Sequence, residues 1–91
     1  MLTLLKFSAS WCGPCKSMDP VVDKLNEEDD ELILTRIDVD ENPQERINYN
    51  VRSIPTFVLV KDGKEVARKT GQATISEMKS WVEESHAKKD S

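Results

Sequence analysis

The only two cysteines of this 91-residue chain are separated by just Gly13 and Pro14, in the run Trp11-Cys12-Gly13-Pro14-Cys15-Lys16. Ahead of them, Leu2 to Phe7 reads as a short buried strand and Ser8-Ala9-Ser10 as the loop that leaves it. Behind them, Met18, Val21, Val22 and Leu25 recur at i, i+3, i+4 and i+7, which is one face of a helix. The pair therefore falls at a strand-to-helix junction. With Cys12 at the first turn, Cys15 comes round on the same face, and the sulfurs can reach bonding distance without moving the backbone. The ring so closed is very short and removes little chain entropy from the unfolded state, which suits reversible redox chemistry better than stapling.

The two sulfurs are not equivalent in such a place. Cys12 lies where unpaired backbone N–H groups and the positive end of the helix dipole favour a thiolate, so it is the expected nucleophile. Cys15, one turn further in and more buried, is expected to stay a thiol until a mixed disulfide forms on Cys12, and then to attack it. Pro14 brings a pre-set helical φ with no N–H to leave unpaired, and Gly13 keeps bulk away from an incoming disulfide. Pro20, inside the helical run, removes one ladder hydrogen bond and is expected to kink the helix.

Further along, the acidic stretch Glu27 to Glu31 reads as a solvated helix end and loop, and Leu32 to Val39 as a second strand. Asn42, Pro43 and Glu45 supply an N-cap, an N1 proline and an N3 carboxylate for a short helix to about Tyr49. Thr56 to Val60 is a third strand, and Asp62-Gly63 a hairpin turn into a charged edge strand, Glu65 to Thr70. Thr74 with Glu77 makes a capping box for a last helix, whose Ile75, Met78, Trp81 and Val82 mark a buried face. Residues 87–91, with His86 beside them, read as a frayed tail. The order β-α-β-α-β-β-α implies an α/β fold: a four-stranded mixed sheet with helices on both faces and Cys12 beyond the carboxyl end of the first strand.

Length limits the chain to one domain, residues 1–91. A net charge of −4 without a basic tract argues against nucleic acid as a partner. The first residues are too short for a signal segment, and no run is long enough to span a membrane. A cytoplasmic setting is expected, where a lone C-x-x-C points to redox use. No metal is expected either, since a structural zinc needs four ligands and the only other plausible soft one is His86.

On several separate signals the chain resembles the thioredoxin family over nearly its whole length. These are Trp11 to Lys16, Pro20, the segment Asp38-Val39-Asp40-Glu41-Asn42-Pro43, the segment Tyr49 to Thr56, Asp62-Gly63 and Gly71. The resemblance implies a minimal form of that fold and a thiol–disulfide oxidoreductase that reduces protein disulfides through Cys12, resolved by Cys15. It implies a cis peptide at Pro55, with Ile54 offering backbone groups to an extended substrate strand. Trp11, Gly13, Pro14, Ile54, Pro55 and Gly71 would make the docking surface around the exposed sulfur of Cys12. No bound cofactor is implied; electrons would come from NADPH through a thioredoxin reductase, and the protein would work as a monomer.

Two departures stand out. Where the family typically carries a buried aspartate, six residues before the first cysteine, this chain has Lys6. Its ammonium is expected to stabilise thiolates and so weaken the protein as a reductant, the alternative being a desolvated neutral lysine that acts as base; Arg36 reads either as a second charge near the cysteines or as an exposed strand arginine. The chain also starts almost directly with the strand that leads to the cysteines, without the family's preceding strand and helix; from Met1 a naturally short form is the expectation, with a trimmed chain as the alternative. The strand Leu32 to Val39 should then be a sheet edge, blunted by Thr35 and Arg36. Two rival readings remain: a glutaredoxin-like protein recharged by glutathione, disfavoured by Gly13-Pro14, and a non-catalytic binding subunit, disfavoured by the intact cysteine pair.

Overall fold

The apolar run at the N-terminus forms strand β1, Leu2–Ser8, and hydrogen-bonds along both of its edges. The computed structural model describes residues 1–87. After β1 come α1 (Gly13–Glu28), β2 (Leu32–Asp38), α2 (Pro43–Asn48), β3 (Thr56–Lys61), β4 (Lys64–Thr70) and α3 (Ile75–Ala87). The four strands make one sheet in the order β2-β1-β3-β4. β2 runs parallel to β1 with Leu2 opposite Leu32 and Lys6 opposite Arg36, while β3 runs antiparallel with Lys6 opposite Phe57. The element order and mixed sheet are those expected from the sequence, and β2 is an edge.

Strand alternation sorts the side chains onto two faces. On one face Leu2, Leu4, Phe57 and Leu59 pack with Met18, Val22 and Leu25 of α1 and Met78 and Val82 of α3. On the other, Leu5, Phe7 and Val58 meet Ile37, Val39 and Val51, with Tyr49 and Ile54 alongside. Lys6 shares the period of Leu2 and Leu4, so its side chain is turned onto the α1 face, where it is 1% exposed. The thinner second face is covered by α2 and the segment behind it. α2 buries none of its own residues and leaves Ile47 exposed, so it covers the sheet mainly through Tyr49 and Val51, which follow it.

Turn chemistry fixes the hairpin: Asp62 at φ 52° and Gly63 at φ 79° are both left-handed, the pattern a tight primed turn needs. A register shift between Leu59 and Val60 bulges the pairing with β4. The capping box of α3 is reciprocal, with the Glu77 N–H donating to Thr74 Oγ1 at 3.1 Å and the Thr74 N–H donating to Glu77 Oε1 at 3.0 Å.

Several expectations need correction. Asn42 sits at the N-cap of α2 but makes no side-chain cap; its amide donates instead to the Asp38 carbonyl, in a turn where the Asp38 side chain also accepts from the Asp40 and Glu41 N–H groups. His86 is no tail residue: α3 continues to Ala87, and His86 Nε2 lies 2.7 Å from Asp29 Oδ2 while its carbonyl accepts from Lys61. The acidic stretch is correspondingly less free than a solvated loop, since Glu28 pairs with Lys79 and Asp29 holds His86. Trp81 is half-buried against the core, with the Lys69 ammonium 6.0 Å from its ring centre. The expected frayed tail, beyond Ala87, lies outside the described residues.

The capping box yields a stability prediction. The Thr74 hydrogen bonds hold the Glu77 carboxyl below its ordinary value, so its folded pKa is lower than its unfolded one. Its contribution is complete above the unfolded value and is lost as pH falls through the folded one. Thr74→Ala should cost about 1 kcal/mol in urea unfolding at neutral pH. Glu77→Gln should be less stable than the parent at pH 7, with the gap closing as pH drops below the ordinary glutamate range.

Candidate active site

Beyond the end of β1 the chain turns through Ala9 to Trp11, closed by a hydrogen bond from the Cys12 N–H to the Ala9 carbonyl at 3.1 Å. Cys12 is the N-cap of α1, with extended backbone (φ −88°, ψ 106°), and Pro14 lies in the first turn. Serine, threonine and aspartate favour this position because their side-chain oxygen takes up an orphan helix N–H. Here sulfur does so: Cys12 Sγ accepts from the Cys15 N–H at 3.2 Å. That donor, added to the helix N-terminus, is one that stabilises a negative sulfur on Cys12.

Cys12 and Cys15 are joined as a disulfide, with Cα atoms 5.3 Å apart, a separation inside the normal range. One helical turn supplies that spacing without distortion. Cys15 is 2% exposed and Cys12 4%, so the order of burial is as expected but the margin is small. The expected exposed sulfur on Cys12 is thereby corrected. In the disulfide form both cysteines pack into the cluster of Ala9, Val39 and Val51, and the apolar neighbours leave little of either residue open.

Around this bond lie the other residues singled out in the sequence. Trp11 is 67% exposed, and its indole N–H donates to Asp40 Oδ2 at 2.8 Å. Gly13 and Pro14 are exposed in the first turn of α1. Ile54 packs against the cysteine-bearing cluster, and the peptide bond between Ile54 and Pro55 is cis. Gly71, at φ 90°, donates its N–H to the Pro55 carbonyl at 2.9 Å, which ties the end of β4 to this loop. A side chain at position 71 would have room but would be strained by that φ.

Beneath Cys15 the site is charged. Lys6 Nζ donates to the Cys15 carbonyl at 2.9 Å and forms an ion pair with Asp19 Oδ1. Arg36, opposite Lys6 in the register, reaches Asp23 on α1 instead of the cysteines. It does share with Lys6, Cys15, Lys16, Asp19 and Asp38 the wall of a cavity of about 230 Å³. Among the described residues no group of three or more His, Cys, Asp or Glu could hold a metal ion, and no helix is long and apolar enough to cross a membrane.

The thioredoxin family model matches residues 1–84. The chain belongs to the thioredoxin family. Thioredoxin from Chlamydia trachomatis is 46% identical over 70 residues, a match covering 77% of this chain and 69% of that one. Thioredoxin from Rickettsia typhi is 36% identical over 83 residues, covering 90% and 79%. Among solved structures, a mutant thioredoxin from Halobacterium salinarum superposes with a TM-score of 0.89 at 37% identity, covering 98% of this chain and 78% of that one. Fasciola hepatica thioredoxin gives 0.85 at 38%, covering 91% and 79%. With this membership and a cysteine pair at bonding distance, the protein is a thiol–disulfide oxidoreductase.

Three supporting residues escape a reading of the sequence. Asp40 belongs to a family motif, but nothing in the motif marks it as the partner of Trp11. Arg68 reads only as one of the charges of an edge strand, yet from β4 it donates to the Tyr49 carbonyl at 2.6 Å and so holds the start of the segment that ends in Pro55. Its Glu65 partner keeps that guanidinium pKa raised. Asp19 has a readable signal: it stands four residues after Cys15, on the same helical face, opposite a lysine whose strand period points inward.

The Trp11 contact can be tested directly. Asp40→Ala frees the indole, and a hydrogen bond to a charged acceptor is worth about 1.5–3 kcal/mol at most in such settings. At this exposed site the expected outcome is a loss of about three- to tenfold in kcat/KM for insulin reduction, with unfolding midpoint little changed.

Proposed function

We propose that the protein reduces disulfides in other proteins, with Cys12 as nucleophile and Cys15 as resolving thiol. The observation that carries this assignment is the hydrogen bond from the Cys15 N–H to Cys12 Sγ at the N-cap of α1. The same donor and helix end would stabilise a Cys12 thiolate in the reduced state. That sulfur attacks one sulfur of the substrate disulfide; the substrate S–S bond breaks, and its other sulfur leaves as a thiolate that takes up a proton. Cys15 then gives up its proton and attacks Cys12 Sγ. The mixed disulfide breaks, the second substrate sulfur leaves with the electron pair and is protonated, and the Cys12–Cys15 bond closes. Two electrons have passed from the cysteine pair to the substrate.

The docking surface in this reading is Trp11, Gly13, Pro14, Ile54, Pro55 and Gly71. Ile54 has apolar contact with the cysteine cluster beside its cis bond to Pro55, and its backbone groups would pair with an extended strand of substrate. So small a surface favours many substrates at modest affinity. Lys6 acts as a tuning charge through its bond to the Cys15 carbonyl, while Arg36, on the wall of the shared cavity, is paired with Asp23. Oxidised protein is recharged by a thioredoxin reductase with NADPH as electron source, and the monomer works in a reducing compartment such as the cytoplasm.

Insulin reduction separates this reading from its rivals. Turnover should proceed with thioredoxin reductase and NADPH, and slowly or not at all with glutathione and glutathione reductase. Cys12→Ser should abolish it, while Cys15→Ser should accumulate a covalent adduct between Cys12 and substrate, visible on non-reducing gels. Turnover that survives Cys12→Ser excludes the mechanism.

A further inference from the structure

We propose that Asp19 sets the redox poise of the Cys12–Cys15 couple, acting as the counter-charge of Lys6. The proposal rests on the reading that these two cysteines are the couple that cycles. Lys6 is 1% exposed, on a strand face otherwise given to Leu2 and Leu4. An ammonium there is costly unless it is paired and hydrogen-bonded. It finds two acceptors, the Cys15 carbonyl at 2.9 Å and the Asp19 carboxylate. The first of these fixes how near the charge lies to the sulfur. Covalent geometry within one cysteine keeps Lys6 Nζ within about 7 Å of Cys15 Sγ.

A bare positive charge at that distance would stabilise thiolates and pull the couple toward the dithiol. Asp19 opposes it. The neighbouring charges do not take over that role: Arg36 and Lys16 are themselves cations, Arg36 being engaged by Asp23, and Asp38 Oδ1 accepts from the Asp40 and Glu41 N–H groups. Asp19 also belongs to α1, four residues beyond Cys15, so the counter-charge is carried by the helix that carries the cysteines. Its side chain is 47% exposed, against 2% for Lys6. One end of the pair thus meets water while the other sits beneath the site, and replacing Asp19 uncovers a buried cation without cutting into the core. Asp19 is a positioning residue in this scheme: it touches no substrate and acts through Lys6.

The readout is exchange with glutathione. Two glutathione thiols and the Cys12–Cys15 disulfide give the dithiol and glutathione disulfide. The protein S–S bond breaks, one forms between the glutathione sulfurs, and two electrons and two protons pass to the protein. The full chain is equilibrated in glutathione buffers and its dithiol fraction is counted by alkylation and mass spectrometry. Asp19→Asn should raise the equilibrium constant for dithiol formation about five- to tenfold. Asp19→Glu, which keeps a carboxylate, should stay within about twofold of the parent, as should Lys6→Met/Asp19→Asn, which removes both charges.

A merely structural role would destabilise both oxidation states alike and leave this constant unmoved. An Asp19→Asn value within about twofold of the parent overturns the proposal, as does a double variant shifted as far as the single one. Where Asp19→Asn does not fold, Lys6→Met decides. Removing the cation leaves the Asp19 carboxylate uncompensated, so Lys6→Met should shift the constant about five- to tenfold toward the disulfide, and adding Asp19→Asn to it should bring the constant back to within about twofold of the parent. A double variant that stays where Lys6→Met alone lies would mean that Asp19 sets nothing, and the proposal fails. Failure of the underlying reading looks different: the parent protein itself would show no reversible exchange in the same buffers.

Discussion

Strand β1 is hydrogen-bonded on both edges, to β2 in parallel and to β3 antiparallel, so it cannot slide without breaking two ladders at once. Everything at the site is measured from it. Its last residue, Ser8, accepts from the Val39 N–H at 2.9 Å, which holds the end of β2 level with the end of β1. From there one short turn sets Cys12 at the head of α1. The same ladder to β3 carries the chain back to Thr56, directly behind Pro55, so that Ile54 arrives beside the cysteines from the opposite direction. A position fixed by two ladders is stiff, and a stiff base lets the exposed parts of the site be small.

Burial of Lys6 follows from the same strand. Alternation leaves no choice of face: Leu5 and Phe7 must point to one cluster, so Lys6 points to the other, beneath α1. A buried ammonium then demands acceptors, and the helix above supplies them, a backbone carbonyl at Cys15 and a carboxylate one turn on at Asp19. The family resemblance suggests a simple exchange of an acid for a cation. The geometry is instead that of an ion pair, in which a carboxylate is still present but stands on the helix and not on the strand. What reaches the sulfurs is the field of a pair, smaller than that of either charge alone.

Much of this can be read from the residues. The element order, the hairpin at Asp62-Gly63 and the capping box at Thr74 and Glu77 are all legible, because each depends on local chemistry within a few positions. The location of the cysteines at a strand-to-helix junction is legible for the same reason. What is not legible depends on contacts between distant segments. His86 looks like tail because nothing near it in sequence shows that Asp29 waits 2.7 Å away. Asn42 has the residue type of an N-cap, yet its side-chain amide donates back to the Asp38 carbonyl and caps no helix N–H. Lys6 stands out as a departure, but its sign and effect depend on Asp19, thirteen positions on, which only the packing of α1 against β1 brings near.

The disulfide and the helix make compatible demands, and that compatibility is what allows the bond to be made and broken repeatedly. A helix turn from Cys12 to Cys15 already places the Cα atoms 5.3 Å apart, so closing the bond requires no change in the backbone. In the reduced state the Cys15 N–H remains available to the Cys12 sulfur, because an N-cap position leaves that donor without a carbonyl partner within the helix. The fold around the pair therefore has little reason to prefer one oxidation state on steric grounds. Preference must come from charge and hydrogen bonding at the two sulfurs, which is why a buried lysine and its counter-ion next to Cys15 weigh more here than the packing of any apolar neighbour.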